Sequence, residues 1–274
     1  TVAQFAAREQ QESMMPGTRT KDLLNLDGMT ALVTGAGQGL GRAIAMRLAD
    51  AGAGVVVTHR RKEGADAVAG EINAAGGRAT GLELDVTLTA SHAQVIDAGT
   101  AWGGSVDILV NCAGGMHPFT SFLDVDEATF DATIARNLKG AYFLSQAFAR
   151  KLVAAKRPGR IVNIASTAAT RPDFMLAAYN AAKAGLVQFG RSIAVELAPH
   201  GILVNTVAPG PVRTTNTEWI YDNPKWQGVL KEKVPLGGPA DADDVAAAVV
   251  FLCSPGARHM TGSTVTVDGG FTCT

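Results

Sequence analysis

Cysteine is scarce in this chain: Cys112, Cys253 and Cys273 are the only three in 274 residues. Their odd number and wide spacing signal neither a disulfide framework nor a zinc site, and they suit a reducing cytoplasm. Aromatic residues make up 6% of the chain and charged residues 18%, against 47% hydrophobic. A chain this apolar and this weakly charged buries enough surface to fold, which excludes disorder. Neither sign of charge dominates, with 24 Lys plus Arg against 25 Asp plus Glu, so the bulk basicity of many nucleic-acid binders is missing. No apolar run approaches the roughly 18 residues that suggest a membrane span. The histidines, His59, His92, His117, His200 and His259, lack metal-ligand company, and none is assigned to a metal.

Glycine is in excess, 31 of 274, where about 7% is usual. Residues 1–26 stand apart from the rest of the chain: Arg8 to Glu12 and then Met14-Met15-Pro16-Gly17 show no sustained period. The acids argue against a transit peptide and no apolar core marks a signal peptide, so the segment reads as a loosely held N-terminal arm. From Met29 onward short β-branched runs alternate with helical patterns. The runs are Ala31 to Val33, Val55 to Thr58, Thr80 to Leu84, Ile108 to Val110, Ile161 to Ile164, Leu203 to Val207 and Thr264 to Val267. Helical stretches are expected near Arg42 to Ala51, Gly64 to Ala75, Ala90 to Trp102, Glu127 to Ala155, Ala178 to Ala198 and Asp243 to Cys253. Near-continuous apolar strands are covered on both faces, and their alternation with helices implies βαβ units. The pattern predicts an α/β fold: a single doubly wound Rossmann domain over 27–274, with a seven-stranded parallel sheet and helices on both faces.

The segment Thr34-Gly35-Ala36-Gly37-Gln38-Gly39-Leu40-Gly41 follows a strand and opens a helix. Glycines there permit a tight turn and let backbone N–H groups approach a pyrophosphate at the positive end of the helix dipole. The spacing, Gly35-x3-Gly39-x-Gly41, is not the generic dinucleotide fingerprint; its strand-before and helix-after context makes the reading. The second strand ends Val57-Thr58-His59-Arg60-Arg61, with no acid before Glu63. An NAD site wants a carboxylate there for the ribose 2′-OH, whereas two guanidiniums suit a 2′-phosphate. NADP(H) is therefore the expected cofactor, with NAD(H) as the alternative.

Tyr179-x3-Lys183 falls inside a helical pattern, which puts both side chains on one face, one turn apart. A neighbouring ammonium favours the phenolate and is expected to lower the tyrosine pKa. A second Tyr-x3-Lys, Tyr221 to Lys225, contains Pro224, which prevents a continuous helix. Ser166 lies thirteen residues before Tyr179, at the C-terminal end of the fifth strand, where ligands bind in open α/β sheets.

Taken together, the glycine turn, Asp85-Val86, Asn111-Cys112-Ala113-Gly114, Asn137-Leu138-Lys139-Gly140, Ser166, Tyr179-x3-Lys183 and Pro209-Gly210 resemble the short-chain dehydrogenase/reductase family. The resemblance covers about Asp27 to Phe271. It implies a 3-oxoacyl-carrier-protein-reductase-like or sugar-alcohol-dehydrogenase-like enzyme with a catalytic tetrad. Tyr179 would be the acid/base, and Lys183 would lower its pKa and hold the nicotinamide ribose. Ser166 would orient the substrate oxygen, and Asn137 would position a water linking Lys183 to solvent. Asp85 and Val86 would hold the adenine. Asn111, Ala113 and Gly114 would pass beside the adenosine ribose and stabilise the sheet, and Pro209, Gly210, Val212 and Thr214 would cradle the nicotinamide amide. Cys112 replaces the family's usual second Asn. His59 stands where NAD-specific members carry Asp, while Gln38 is neutral where NADP users are often basic.

The substrate wall is expected from Gly115 to Phe122, Thr167 to Leu176 and a lid about 211–235, which holds Trp219, Tyr221 and Trp226 among hydroxyls and amides. Arg171 and Arg213 read as solvated surface arginines. A secondary alcohol/ketone oxidoreductase acting on a sugar, polyol or 3-oxoacyl compound is the leading reading. The alternatives are an NAD-dependent dehydrogenase of a hydroxylated small molecule and a dinucleotide-binding sensor or scaffold without turnover. Apolar residues on the helices of Asn137 and Tyr179, namely Ala141, Phe143, Leu144, Phe148, Ile193 and Val195, together with the family habit, point to a homotetramer.

Overall fold

The β-branched runs form β1 (Thr30–Val33), β2 (Gly54–His59), β3 (Arg78–Glu83), β4 (Ile108–Asn111), β5 (Gly159–Ile164), β6 (Ile202–Pro209) and, after two short strands, β9 (Thr264–Val267). They are seen in a computed structural model that describes residues 19–215 and 217–274; residues 1–18 of the proposed arm and Asn216 of the proposed lid lie outside the described residues. All seven are parallel, in the order β3-β2-β1-β4-β5-β6-β9. The order reverses between β1 and β4, which opens a crevice at their C-terminal ends, where doubly wound sheets bind ligands.

Helices cover both faces. On one face lie α1 (Gly39–Asp50), α2 (Lys62–Ala74) and α9 (Ala242–Cys253); on the other lie α3 (His92–Gly103), α5 (Gly140–Ala155) and α6 (Ala177–Leu197). α1 buries Gly41, Ile44, Ala45 and Leu48, and α2 buries Ala65, Val68, Ala69 and Ile72. Both repeat the i, i+3, i+4, i+7 spacing of one helical stripe. Each fully buried Leu, Ile or Val contributes about 1.5–3 kcal/mol. Leu26, which the sequence pattern assigns to the arm, is wholly buried on the face covered by α1, α2 and α9, and its N–H donates to Ala51 O at 2.8 Å.

The expected helix from Glu127 to Ala155 is interrupted. α4 (Glu127–Ile134) passes through a π turn, Ala135–Lys139, before α5 begins, and Asn137 sits in that turn. Such single π turns often mark functional positions. The stretch after β6 forms β7 (Val212–Arg213), α7 (Glu218–Tyr221), α8 (Pro224–Lys233) and β8 (Ala240–Asp241), with β7 and β8 paired in parallel. Tyr221 ends α7 and Pro224 starts α8, so the second Tyr-x3-Lys spans two helices. Of the apolar residues expected on the outside of α5 and α6, Ala141, Leu144 and Phe148 face the core. Ile193 is half-buried, and Phe143 and Val195 remain exposed, as does Tyr142 beside them. No helix among the described residues is long and apolar enough to cross a membrane.

Candidate active site

The glycine turn is held from three directions. Gly35 has φ +66°, and a Cβ on it would stand 2.9 Å from Ala113 Cα, so the turn meets the loop after β4 at backbone contact. A Cβ on Gly41 would come within van der Waals overlap of the Gly35 carbonyl, so the first turn of α1 folds down on the glycine loop. Gly39 has φ +53° and approaches Thr214 from the segment beyond β6. Leu40 packs against the core beside it. Gln38, the N-cap of α1, makes no side-chain cap. The positive end of the α1 dipole at this turn could hold a pyrophosphate.

Thr34 ties this turn to β4. Its hydroxyl accepts from the N–H groups of Cys112 and Ala113, each at 2.9 Å. Asn111 turns into the sheet instead of toward the crevice, donating to Ser145 Oγ and Asn163 Oδ1, both at 2.9 Å. At the end of β2, Arg60 and Arg61 are exposed, and His59 is half-buried against the turn. Asp85 Oδ1 accepts from the Thr87 N–H at 2.9 Å and from its hydroxyl at 2.7 Å. Burial raises the Asp85 carboxyl, but the Thr87 hydrogen bonds and then Arg60 and Arg136 outweigh it and hold the carboxyl below its usual range. Asp85 therefore caps its own turn with one oxygen. Val86 is buried, and its carbonyl lies 3.0 Å from His92 Nε2.

Ser166 follows β5 and caps a 3₁₀ turn, its hydroxyl accepting the Ala168 N–H at 3.1 Å. Tyr179 and Lys183 project from α6, with Lys183 Nζ 5.6 Å from the centre of the Tyr179 ring. Lys183 is 4% exposed and donates to Ile164 O at 2.9 Å. Burial pulls its ammonium down to about 8, slightly opposed by the Cys112 thiol. Burial likewise pushes the Tyr179 phenol up to about 12; a hydrogen bond with Ser166 draws it back, while Asp173 and Tyr221 raise it further. Burial, the largest of these causes, sets the net direction opposite to the one expected from the neighbouring ammonium alone. The ammonium lies beside the ring, and desolvation dominates. Asn137 is buried beside Lys183. Its Oδ1 accepts from Gly115 N–H at 2.9 Å, and its Nδ2 donates to Gly115 O at 3.0 Å and Thr133 O at 2.9 Å. The side chain thereby clamps the Gly114–Gly115 loop. A Cβ on Gly114 would stand 2.7 Å from Asn137 Oδ1 and 3.3 Å from Lys183 Nζ.

The segment beyond β6 runs past the glycine turn, with Thr214 against Gly39. Pro209 ends β6 in register with Val267, and Gly210 N–H donates to Val267 O at 3.0 Å. Thr217 knots the next residues together, its hydroxyl donating to Val212 O at 2.8 Å and accepting from Thr214 N–H at 2.9 Å. Arg171 donates to Phe271 O at 2.8 Å and stacks on its ring, and Arg213 pairs with Asp222 at 2.8 Å. Both arginines expected to be merely solvated are therefore engaged within the chain.

Sequence reasoning gave Thr34 and Asp173 no role of their own, within the glycine turn and the expected substrate wall, and placed Tyr221 only in the lid. Thr34 carried a signal, a hydroxyl at the mouth of the glycine turn. Asp173 had none: its place follows from Asn180, which grips Asp173 N–H at 3.3 Å and its carbonyl at 2.9 Å one residue after Tyr179. Tyr221 is 7% exposed and adds to the rise of Tyr179.

Residues 35–272 match the family described as Enoyl-(Acyl carrier protein) reductase. An L-rhamnose 1-dehydrogenase (NAD(P)(+)) of Azotobacter vinelandii is 40% identical over 246 residues, which cover 88% of this chain and 95% of that protein. A 3-oxoacyl-acyl-carrier-protein reductase of Escherichia coli is 42% identical over 247 residues, 90% of this chain and 98% of that protein. The crystal structure of a gluconate 5-dehydrogenase from Burkholderia cenocepacia, in complex with NADP and tartrate, superposes with a TM-score of 0.89 at 31% identity, covering 93% of this chain and 100% of that one.

Proposed function

The chain belongs to the short-chain dehydrogenase/reductase family, and from that premise we propose that it is an NADP(H)-preferring oxidoreductase of a neutral sugar or polyol. The reaction class, NAD(P)-dependent interconversion of an alcohol and a ketone, comes with the family. The observation that carries the proposal is the convergence of Ser166, Tyr179 and Lys183 at the C-terminal end of β5, with Lys183 Nζ on Ile164 O. A nicotinamide dinucleotide, when bound, supplies or accepts the hydride.

The glycine turn and the amides of α1 would receive the pyrophosphate, Asp85 and Val86 would flank the adenine, and Thr214, which lies against Gly39, would hold the nicotinamide amide. In reduction, Ser166 orients the carbonyl oxygen and Tyr179 donates its phenolic proton to it. A phenol at about 12 is in the protonated form that this step needs at neutral pH. Lys183 has three N–H donors, of which Ile164 O takes one. It keeps a cation beside the phenolate that forms. Asn137 keeps the Gly114–Gly115 loop against Lys183. The segment 211–235 acts as the substrate lid.

Asp173 supports a neutral hydroxylated substrate. Burial raises its carboxyl, with Arg171 opposing, and its charge acts on both Tyr179 and Tyr221. A carboxylate near these two phenols would accept from sugar hydroxyls and disfavour an anionic substrate.

Arg60 and Arg61 favour a 2′-phosphate. A charge-assisted hydrogen bond is worth about 1.5–3 kcal/mol, and solvent exposure at this rim keeps the preference for NADPH near the low end, about tenfold. We place the enzyme in the cytoplasm as a homotetramer joined partly through the exposed faces of α5 and α6. The test is a panel of NADPH and NADH against keto-sugars, simple ketones and 3-oxoacyl thioesters, repeated with Arg60→Ala. Keto-sugars should give the highest kcat/KM with NADPH, and the variant should raise KM for NADPH far more than for NADH. Equal or better kcat/KM with NADH in the wild type would overturn the cofactor assignment, and preference for the thioester would overturn the substrate assignment.

A further inference from the structure

Beyond β9 the chain turns through Gly269 and Gly270, both in the left-handed region, at φ +60° and +88°. A Cβ on Gly269 would stand 2.8 Å from Val234 Cγ1, and one on Gly270 would stand 2.8 Å from Pro235 Cγ. The turn therefore lies at backbone contact with the residues that follow α8. Leu236 N–H donates to Gly269 O at 3.1 Å, and the Thr274 hydroxyl donates to Lys233 O at 3.0 Å. Asp268 braces the turn: its carboxylate accepts from Gly270 N–H at 3.0 Å, Thr272 N–H at 2.8 Å and the Thr272 hydroxyl at 2.7 Å.

Phe271, which this turn presents, makes contacts on two sides. It packs against Tyr221, Leu230 and Val234, the buried cluster of α7 and α8. Arg171, from the expected substrate wall, sets its guanidinium 3.9 Å from the centre of the same ring and donates to Phe271 O at 2.8 Å. Arg171 begins a loop, 171–176, that lies outside any helix or strand. Met175 in that loop has φ +61°, a conformation a side chain with a Cβ keeps only where its surroundings hold it. Two other supports are Asn180, which grips Asp173, and Thr120 N–H, which donates to Met175 O at 3.1 Å.

Resting on the substrate reading above, we propose that Arg171 and Phe271 are a positioning pair that seats the substrate loop 171–176 on the packed core of the lid, so that affinity for substrate depends on this contact. The hydrogen bonds of Ser166 and Lys183 run to Ala168 N–H and Ile164 O and not through the pair. The pair therefore acts on the binding of substrate more than on the transfer step.

The test compares Arg171→Met, Phe271→Leu, Phe271→Tyr and the double variant Arg171→Met/Phe271→Leu in the full chain, by kinetics with a keto-sugar and calorimetry with NADPH. Arg171→Met should raise KM for the keto-sugar about tenfold, the worth of one charge-assisted hydrogen bond, with kcat and NADPH affinity changed less than about threefold. Phe271→Leu keeps an apolar side chain on the lid core but loses the ring face, and should raise KM about two- to fivefold. Phe271→Tyr restores the ring and should restore KM. The double variant should match Arg171→Met alone, because both changes break one contact. Amide hydrogen exchange by NMR, read without substrate, should quicken at Asp173 and Thr120 in Arg171→Met and in Phe271→Leu. Additive effects on KM, equal effects of Leu and Tyr at 271, or unmoved exchange at Asp173 and Thr120 would overturn the proposal. Faster exchange with the rise in KM seen for 3-oxoacyl thioesters instead of keto-sugars would sink the substrate assignment and leave the pair standing.

Discussion

Replacing Lys183 by methionine separates what this side chain does in the reaction from what its burial costs the fold. Lys183 is 4% exposed, and its ammonium falls from an ordinary 10.5 to about 8. At about 1.36 kcal/mol per pH unit, that difference is a penalty of about 3 kcal/mol against the folded state while the group is charged. Below pH 8 the folded and unfolded chains both hold the proton, and the penalty is complete. Between about 8 and 10.5 the unfolded chain still binds the proton and the folded chain does not, so stability rises with pH. Methionine removes the charge but leaves the Ile164 carbonyl without its 2.9 Å donor, a loss of about 1–2 kcal/mol. The variant should therefore be more stable at pH 7 by about 1–2 kcal/mol, or about 2–8 °C in Tm for a chain of this size. That advantage should vanish by pH 10, while turnover falls at least a hundredfold. Urea unfolding of both proteins at pH 7 and pH 10 reads it. A variant less stable at pH 7, or equally advantaged at both pH values, refutes the reasoning.

Tyr179→Phe should lower kcat by about 10²–10⁴-fold, the contribution of general acid catalysis, with NADPH binding by calorimetry nearly retained. Asn137→Ala leaves the Gly115 N–H and C=O and the Thr133 carbonyl without their partners. It should destabilise the fold by about 2–4 kcal/mol in denaturant titrations and loosen the Gly114–Gly115 loop. Light scattering at micromolar concentration should return a tetramer mass; a monomer would contradict the proposed assembly.

The parts of this protein legible in its sequence are those whose geometry closes within one element or between successive ones. β1, β2 and β4 are buried along nearly their whole length and read as unbroken apolar runs. α1 and α2 show their buried stripes at helical spacing. Tyr179 and Lys183 share a face because 3.6 residues make a turn, and the glycine turn is announced by the strand before it and the helix after it. Element boundaries shifted by one to three residues, since the last turn and the strand ends depend on neighbours.

Tertiary structure decided what depends on groups far apart in the chain. Thr34 meets the N–H of Cys112 only because β1 and β4 are paired, and Leu26 joins the core through Ala51. The helical pattern from Glu127 to Ala155 gave no sign of the π turn that carries Asn137 to Gly115. Local sequence shows Tyr179 beside its nearest cation but not how deeply the phenol is buried. Desolvation sums over every element packed around a group, and it is the largest cause acting on both Tyr179 and Lys183.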